Sequence, residues 1–279
     1  MHRWWTEAML DALLAEDVPH GDLTTDALGI AVAPARVHMS MRADATVCGT
    51  EVAQALFSRC GVEATVLAPS GARVAAGGAI LSAEGAAGGV FAAWKVAQTL
   101  VEYLSGIATV TADLIAAARA VAPQVAVVTT RKTLPGAKAQ MIAAIRAGGA
   151  FPHRLGLSET LLVFPEHRAF LAEPVARIAA LRRAMPEKKV VVEVKGLDAV
   201  RAVLPANPDV LQCEKMTPDE IAAVVALVAE VGSEARVAAA GGVNVHNAAA
   251  YAAAGAHILV TSAPYWAKPA DVKVTIDPL

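Results

Sequence analysis

The side chains able to do chemistry in this 279-residue chain fall just behind short aliphatic runs. Thr129-Thr130-Arg131-Lys132-Thr133 follows the run 125–128, and Cys213-Glu214-Lys215 follows 210–212. Glu193 lies inside 190–194, Gly241-Gly242 follows 236–240, and Thr261-Ser262-Ala263 follows 257–260. Arg131, Lys132, His153 and Arg154 are donors, and the planar fork of arginine grips carboxylate or phosphate with two parallel bonds. Gly241-Gly242 precedes a helix expected to be capped by Asn244 and to end near Gly255, where backbone N–H groups would meet a phosphate at the positive helix end. Glu193 and Glu214 offer hard oxygen to Mg²⁺ or acceptors to hydroxyls. Cations, a glycine turn and two carboxylates on one rim suit a magnesium-bound sugar phosphate.

Each feature alone has a plainer reading. An Arg-Lys dipeptide is most often a solvated charge pair, paired glycines make ordinary turns, and Glu193 would need only a structural cation to offset its burial. Cys213 reads as core packing, and His20, His38, His246 and His257 show no ligand spacing. Joint placement favours function: behind parallel strands, all of these positions reach the carboxyl face of a barrel, where active sites are built.

The elements that must hold them change character along the chain. Trp5, Met9, Leu10, Leu13 and Leu14 stand at helical spacing within 4–16. Residues 36–42 alternate apolar and polar as a half-buried strand, and strand-like pieces recur near 46–48, 62–68 and 79–82. Strands without intervening helices predict a small α+β sandwich domain over 1–106, with Gly85 to Gly89 near its end and a helix over 90–104 leading to Ser105-Gly106. From 107 to 267, aliphatic runs alternate with helices; one, over 218–230, opens with a capping box from Thr217 to Glu220 and a proline at its first position. This rhythm predicts an α/β barrel or an open doubly wound sheet. Residues 268–279 are expected to complete the first domain.

Composition narrows the partners. The chain is 56% hydrophobic but only 4% aromatic, which suits helices packed tightly on a parallel sheet. A net charge of −2 gives no global field for nucleic acid or an anionic membrane, so small-molecule substrates are expected. Three scattered cysteines fit neither a disulfide framework nor a zinc site and point to a reducing, cytoplasmic compartment. No apolar run is expected to reach the roughly eighteen residues of a membrane helix, and Glu7, Asp11, Glu16 and Asp17 leave no stretch for a signal peptide.

A set of motifs adds to this reading: Glu16-Asp17 with Gly21-Asp22-Leu23-Thr24-Thr25, Leu104-Ser105-Gly106-Ile107-Ala108-Thr109, Thr130-Arg131-Lys132-Thr133 with Pro135-Gly136, Gly148-Gly149, and His153-Arg154-Leu155-Gly156-Leu157. In this order, along nearly the whole chain, they resemble the quinolinate phosphoribosyltransferase (nicotinate-nucleotide pyrophosphorylase) family. Phe151-Pro152-His153, Leu157-Ser158-Glu159-Thr160 and Val163-Phe164 look more like its ModD branch, named for its association with molybdenum transport operons. The resemblance implies phosphoribosyl pyrophosphate with Mg²⁺ as donor, and a homodimer or higher oligomer with sites at the subunit interface. By position it gives Arg131, Lys132, His153 and Arg154 to the acceptor acid and the donor's anionic groups. It gives Glu193 and Glu214 to the ribose and metal, with Glu214 standing where the family usually has Asp. Gly241, Gly242, Ser262 and Ala263 would cradle the 5′-phosphate.

The chain also departs from that pattern. The family's interface arginine is matched by Lys95, its pocket lysine by Phe164, and a Glu and a Ser by Ala238 and Ala240. One cation fewer and a new aromatic wall should weaken a dicarboxylate such as quinolinate. The leading expectation is therefore phosphoribosyl transfer to a heterocyclic acid. Beside it stand an ordinary quinolinate enzyme of NAD synthesis, a non-catalytic ligand-binding paralogue tied to molybdate transport, and a barrel aldolase using Lys132 or Lys195 as a Schiff-base amine.

Overall fold

The computed structural model describes residues 5–279; the first residue of the expected 4–16 helix and those before it lie outside the described residues. In chain order the elements are α1 (Glu7–Asp17), α2 (Leu23–Ala27), β1 (Pro34–Met41), β2 (Ala45–Thr46), α3 (Thr50–Arg59), β3 (Glu63–Val66), β4 (Arg73–Val74), β5 (Ala79–Ala86), α4 (Ala87–Arg119), β6 (Ala126–Thr129), α5 (Lys138–Ala147), β7 (Phe151–Pro152), β8 (Leu161–Val163), α6 (Pro165–Arg168), α7 (Pro174–Ala184), β9 (Val190–Val194), α8 (Leu197–Val203), β10 (Val210–Glu214), α9 (Pro218–Glu230), β11 (Arg236–Ala240), α10 (Ala248–Ala253), β12 (Ile258–Thr261) and β13 (Val272–Pro278). Two compact units result. One takes in the chain to Ala112, Leu134–Gly149 and Pro264–Leu279; the other is Asp113–Thr133 with Ala150–Ala263.

The first unit is built on a four-stranded sheet in the order β13-β1-β5-β3, antiparallel throughout. Alternation along β1 buries Val37, Met39 and Met41 on one face, where they join Leu56 and Phe57 of α3 and Val90, Ala93, Ala97 and Val101 of α4 in one core. Sequence reasoning ends the long helix at Ser105-Gly106, but α4 runs through both to Arg119. The small residues there serve close approach. The Ser105 hydroxyl accepts the Cys48 N–H at 2.9 Å, and a Cβ on Gly106 would fall 2.2 Å from the Lys268 carbonyl oxygen. Gly89 likewise lies against Cys60, whose carbonyl oxygen would meet an added Cβ at 2.2 Å, so 85–89 is a packed junction and not a linker. Gly106→Ala should therefore destabilise the protein by about 1–3 kcal/mol, read as a lower Tm in thermal unfolding. By length and composition α4 could cross a membrane, contrary to the expectation of no such segment, yet half of its apolar window is buried inside the protein.

The second unit carries a seven-stranded parallel sheet in the order β7-β6-β12-β11-β10-β9-β8. Read cyclically, this is sequence order: β12 returns to pair with β6, and the one unjoined place is between β7 and β8. The α/β barrel is thus a half-barrel with a seam, spanned by residues 153–160. Ala238, Ala240 and Val260 form a small buried cluster of their own, with Val128, Val210 and Ile258 packed against it. Around the sheet pack Ile178, Val200, Ile221, Val224 and Leu227 of α7, α8 and α9. The helix 218–230 forms as expected, with the Thr217–Glu220 capping box.

Candidate active site

Parallel register sets the carboxylates. Gln212 stands opposite Glu193 on one side and Ala238 on the other, and Glu214 stands opposite Ala240. The Gln212 amide donates to Glu193 Oε2 at 2.9 Å. Burial pushes the Glu193 carboxyl above the ordinary range and the charge of Glu214 adds to this, while the Gln212 bond opposes both. Gly241 follows in the left-handed region at φ 82°, and a Cβ there would lie 2.6 Å from Glu214 Oε1. Only glycine lets the Glu214 carboxylate rest on this turn. Lys215, which carries no role in the sequence reading, also adopts positive φ (55°), and its N–H donates to the Ala240 carbonyl at 2.7 Å. A lysine held there reflects local strain of the kind found at functional sites.

The residues expected to cradle a phosphate are linked behind β11 and β12. The Thr261 hydroxyl donates to the Val243 carbonyl at 2.6 Å and accepts the Ala263 N–H at 3.0 Å, tying the glycine turn to Ser262-Ala263. The Ser262 and Thr130 hydroxyls lie 2.7 Å apart. One expectation is corrected here. Asn244 does not cap the next helix; it closes a turn, accepting the His246 N–H at 2.9 Å and donating to the Gly242 carbonyl at 3.0 Å. A second amide, Asn247, also donates to that carbonyl and stands at the helix N-cap. With two side-chain amides stabilising the turn, the helix begins only at Ala248.

At the seam the cations gather. His153 follows β7, its N–H donating to the Thr129 carbonyl at 2.8 Å; burial, then the neighbouring Arg154, lowers its imidazole pKa. Arg154 is only 7% exposed. Nη1 reaches the Thr160 carbonyl at a long 3.4 Å, and among the described residues no carboxylate forms an ion pair with it. Burial, then Arg131, holds its pKa below the ordinary guanidinium value. An unpaired buried guanidinium is costly without an anion to meet it. Beside it opens a pocket of about 570 Å³, lined among others by Arg131, Leu157, Thr160, Phe164 and His167. The aromatic wall expected of Phe164 is present. Lys132 and Lys195 are both exposed, without the desolvated setting a Schiff-base amine needs. Lys95 lies in the first unit, exposed on α4, with Nζ 3.2 Å from Gln98 Oε1 and 4.4 Å from the Trp94 ring centroid. Cys213 is buried, and burial pushes its thiol up to about 12, as befits packing.

No group of three or more His, Cys, Asp or Glu that could cage a metal occurs among the described residues. Glu193 and Glu214, on adjacent strands, nevertheless fit Mg²⁺, which needs only one or two carboxylates when substrate phosphates and water complete its octahedron. A dication would also relieve the repulsion that raises Glu193.

A parallel half-barrel with a glycine turn, two carboxylates and a buried arginine at its carboxyl ends is the framework of an enzyme acting on a phosphorylated sugar. Residues 22–105 match the N-terminal domain, and 107–275 the C-terminal domain, of Quinolinate phosphoribosyl transferase. The ModD pyrophosphorylase of Pasteurella multocida is 37% identical over 98% of both chains, and that of Rhodobacter capsulatus 44% identical over 87% of this chain and 94% of its own. NadC from Streptococcus pyogenes superimposes with a TM-score of 0.88 at 25% identity, covering 98% of this chain and 96% of that one. The chain belongs to the quinolinate phosphoribosyl transferase family, and the enzyme is a pentosyltransferase.

Proposed function

We propose that the enzyme transfers the 5-phosphoribosyl group from phosphoribosyl pyrophosphate to a ring nitrogen of a heterocyclic acid. The new bond joins that nitrogen to the anomeric carbon as the carbon–oxygen bond to pyrophosphate breaks, through an oxocarbenium-like state. The observation that carries this reading is Arg154, a buried cation without an ion-pair partner, set at the open seam of a barrel whose remaining strand ends bear carboxylates and a glycine turn. Arg154, with Arg131 and His153, would hold the acceptor's carboxylate, and Lys132 the donor's anionic groups. Glu193 would accept from the ribose hydroxyls. The turn at Gly241 and Gly242, with Ser262 and Ala263, would seat the 5′-phosphate through N–H and hydroxyl donors. A magnesium ion on Glu193 and Glu214, when bound, would neutralise the leaving pyrophosphate. Fixed charges position both reactants and need no reorganisation as charge moves.

By the family resemblance, we further assign the smaller domain to 1–106 with 268–279 and the barrel to 107–267. On the same basis the working form is a cytoplasmic homodimer in which Lys95 serves the partner's site. The direct test is pyrophosphate release from phosphoribosyl pyrophosphate and Mg²⁺ in the presence of pyridine and related heterocyclic acids. We expect release that depends on all three components. Binding of donor and acid without release would instead mark a non-catalytic ligand-binding protein.

A further inference from the structure

Two guanidinium groups, Arg131 and Arg154, and one carboxylate, Glu166, line the seam pocket; apart from Thr160 and His167 its other walls are apolar, with Phe164 and three leucines. Two positive charges and one negative leave a net +1. The rings of Phe164 and His167 stack, 5.6 Å between centroids at 22°. The guanidinium carbon of Arg154 stands 6.0 Å from the Phe164 centroid. His167 Nδ1 accepts the Phe164 N–H at 3.0 Å. A ring nitrogen accepts only through its lone pair, so Nδ1 is turned to the backbone and Nε2 is the nitrogen left for other partners. That bond fixes the imidazole against the phenyl ring and fixes the backbone from which the phenyl ring projects.

We infer that the acceptor is a planar aromatic acid bearing one negative charge, its ring laid on Phe164 and its carboxylate met by Arg154. Phe164 is then the specificity-determining residue and His167 a positioning residue. This rests on the transfer reading above and adds to it the acceptor's class. A single carboxylate balances the pocket's charge. In the dimer proposed above a second would have only Lys95, an ammonium without the two-pronged grip of arginine, and would be desolvated beside an aromatic ring and Glu166. A saturated ring would fit the apolar wall but forgo stacking.

Calorimetric titration of three probes tests this, with and without phosphoribosyl pyrophosphate and Mg²⁺: pyridine-3-carboxylate, pyridine-2,3-dicarboxylate and cyclohexanecarboxylate. The wild type should bind the aromatic monoacid roughly tenfold more tightly than the diacid, and about three- to tenfold more tightly than the saturated acid. Phe164→Leu should erase the preference for the aromatic over the saturated ring while still binding the saturated acid, which reports an intact site. Phe164→Lys should narrow or reverse the preference for one carboxylate over two. His167→Ala should reduce the aromatic preference without loss of the saturated acid. Tighter binding of the diacid by the wild type, or unchanged ratios in both Phe164 variants, would overturn the inference alone. Unchanged affinities for all three acids in Arg154→Gln would overturn it as well. Failure of the transfer reading looks different: the acids would bind with these ratios yet release no pyrophosphate from the donor, and a wild type that binds none of them would overturn both.

Discussion

Arg154→Gln is expected to lower kcat/KM for the acceptor acid about a hundredfold, through loss of roughly 2–3 kcal/mol of charge-assisted hydrogen bonding. The same change should leave the ligand-free protein no less stable, because it removes a buried charge that lacks an ion-pair partner in the free enzyme. The two readouts move apart, and that separation is diagnostic. A structural arginine would lose Tm on substitution, whereas a ligand-binding one loses affinity. Arg154→Lys should recover little, since an ammonium cannot reproduce the planar two-pronged grip. Steady-state kinetics with the most active acid, beside thermal unfolding without ligand, makes the comparison. A fall in Tm that parallels the fall in kcat/KM would return Arg154 to a structural role.

Glu193→Gln should weaken Mg²⁺-dependent binding of phosphoribosyl pyrophosphate about tenfold or more, as for the loss of one charged hydrogen bond of roughly 1.5–3 kcal/mol. Its effect on the free protein has the opposite sign. The folded carboxyl titrates above its unfolded value because it is buried and faces Glu214. Between those two values the native state binds more protons than the unfolded state, so stability falls as pH rises through the window. The variant cannot titrate there, and it should be as stable as the wild type below the window and more stable above it. Calorimetric binding across Mg²⁺ concentrations, together with Tm followed from acid to neutral pH, tests both halves. Lower stability of the variant at neutral pH would make Glu193 a structural residue.

Much of the barrel was legible because its strands are uninterrupted aliphatic runs. β9 and β11 fall at 190–194 and 236–240, as the residues alone indicate. The seam was not. β7 and β8 have two and three residues, too few to show a period. Ser105-Gly106 carries the composition of a helix end, yet the contacts that require small residues come from Cys48 and Lys268, far away in sequence. Asn244 looks like a helix cap because one asparagine serves both turns and caps; only the second amide at Asn247 decides between them. Within the site, Glu193, Glu214 and the glycines could be found from their places behind strands. Gln212 had the same signal, a polar residue two before Glu214 in an aliphatic strand. His167 had only its spacing of three from Phe164. The missing ion-pair partner of Arg154 is a fact about three dimensions, and no local pattern announces it.

The unjoined place between β7 and β8 has a consequence for how such enzymes diversify. The residues proposed to cradle the donor lie at the ends of β10, β11, β12 and β6, whose ladders are continuous, so their geometry is tied to the hydrogen bonding of the half-barrel. The pocket proposed for the acceptor borders the unjoined edge, and its walls are mostly side chains from residues 154–167, of which only Leu161 and Leu162 belong to a ladder, that of β8 with β9. On the proposed reading, exchanging the pocket residues outside β8 would alter which molecule is accepted and leave the residues assigned to the sugar phosphate untouched. The fold thus separates a fixed half from an editable half, and a lineage can acquire a new acceptor through a short stretch of chain while its transfer chemistry stays unchanged.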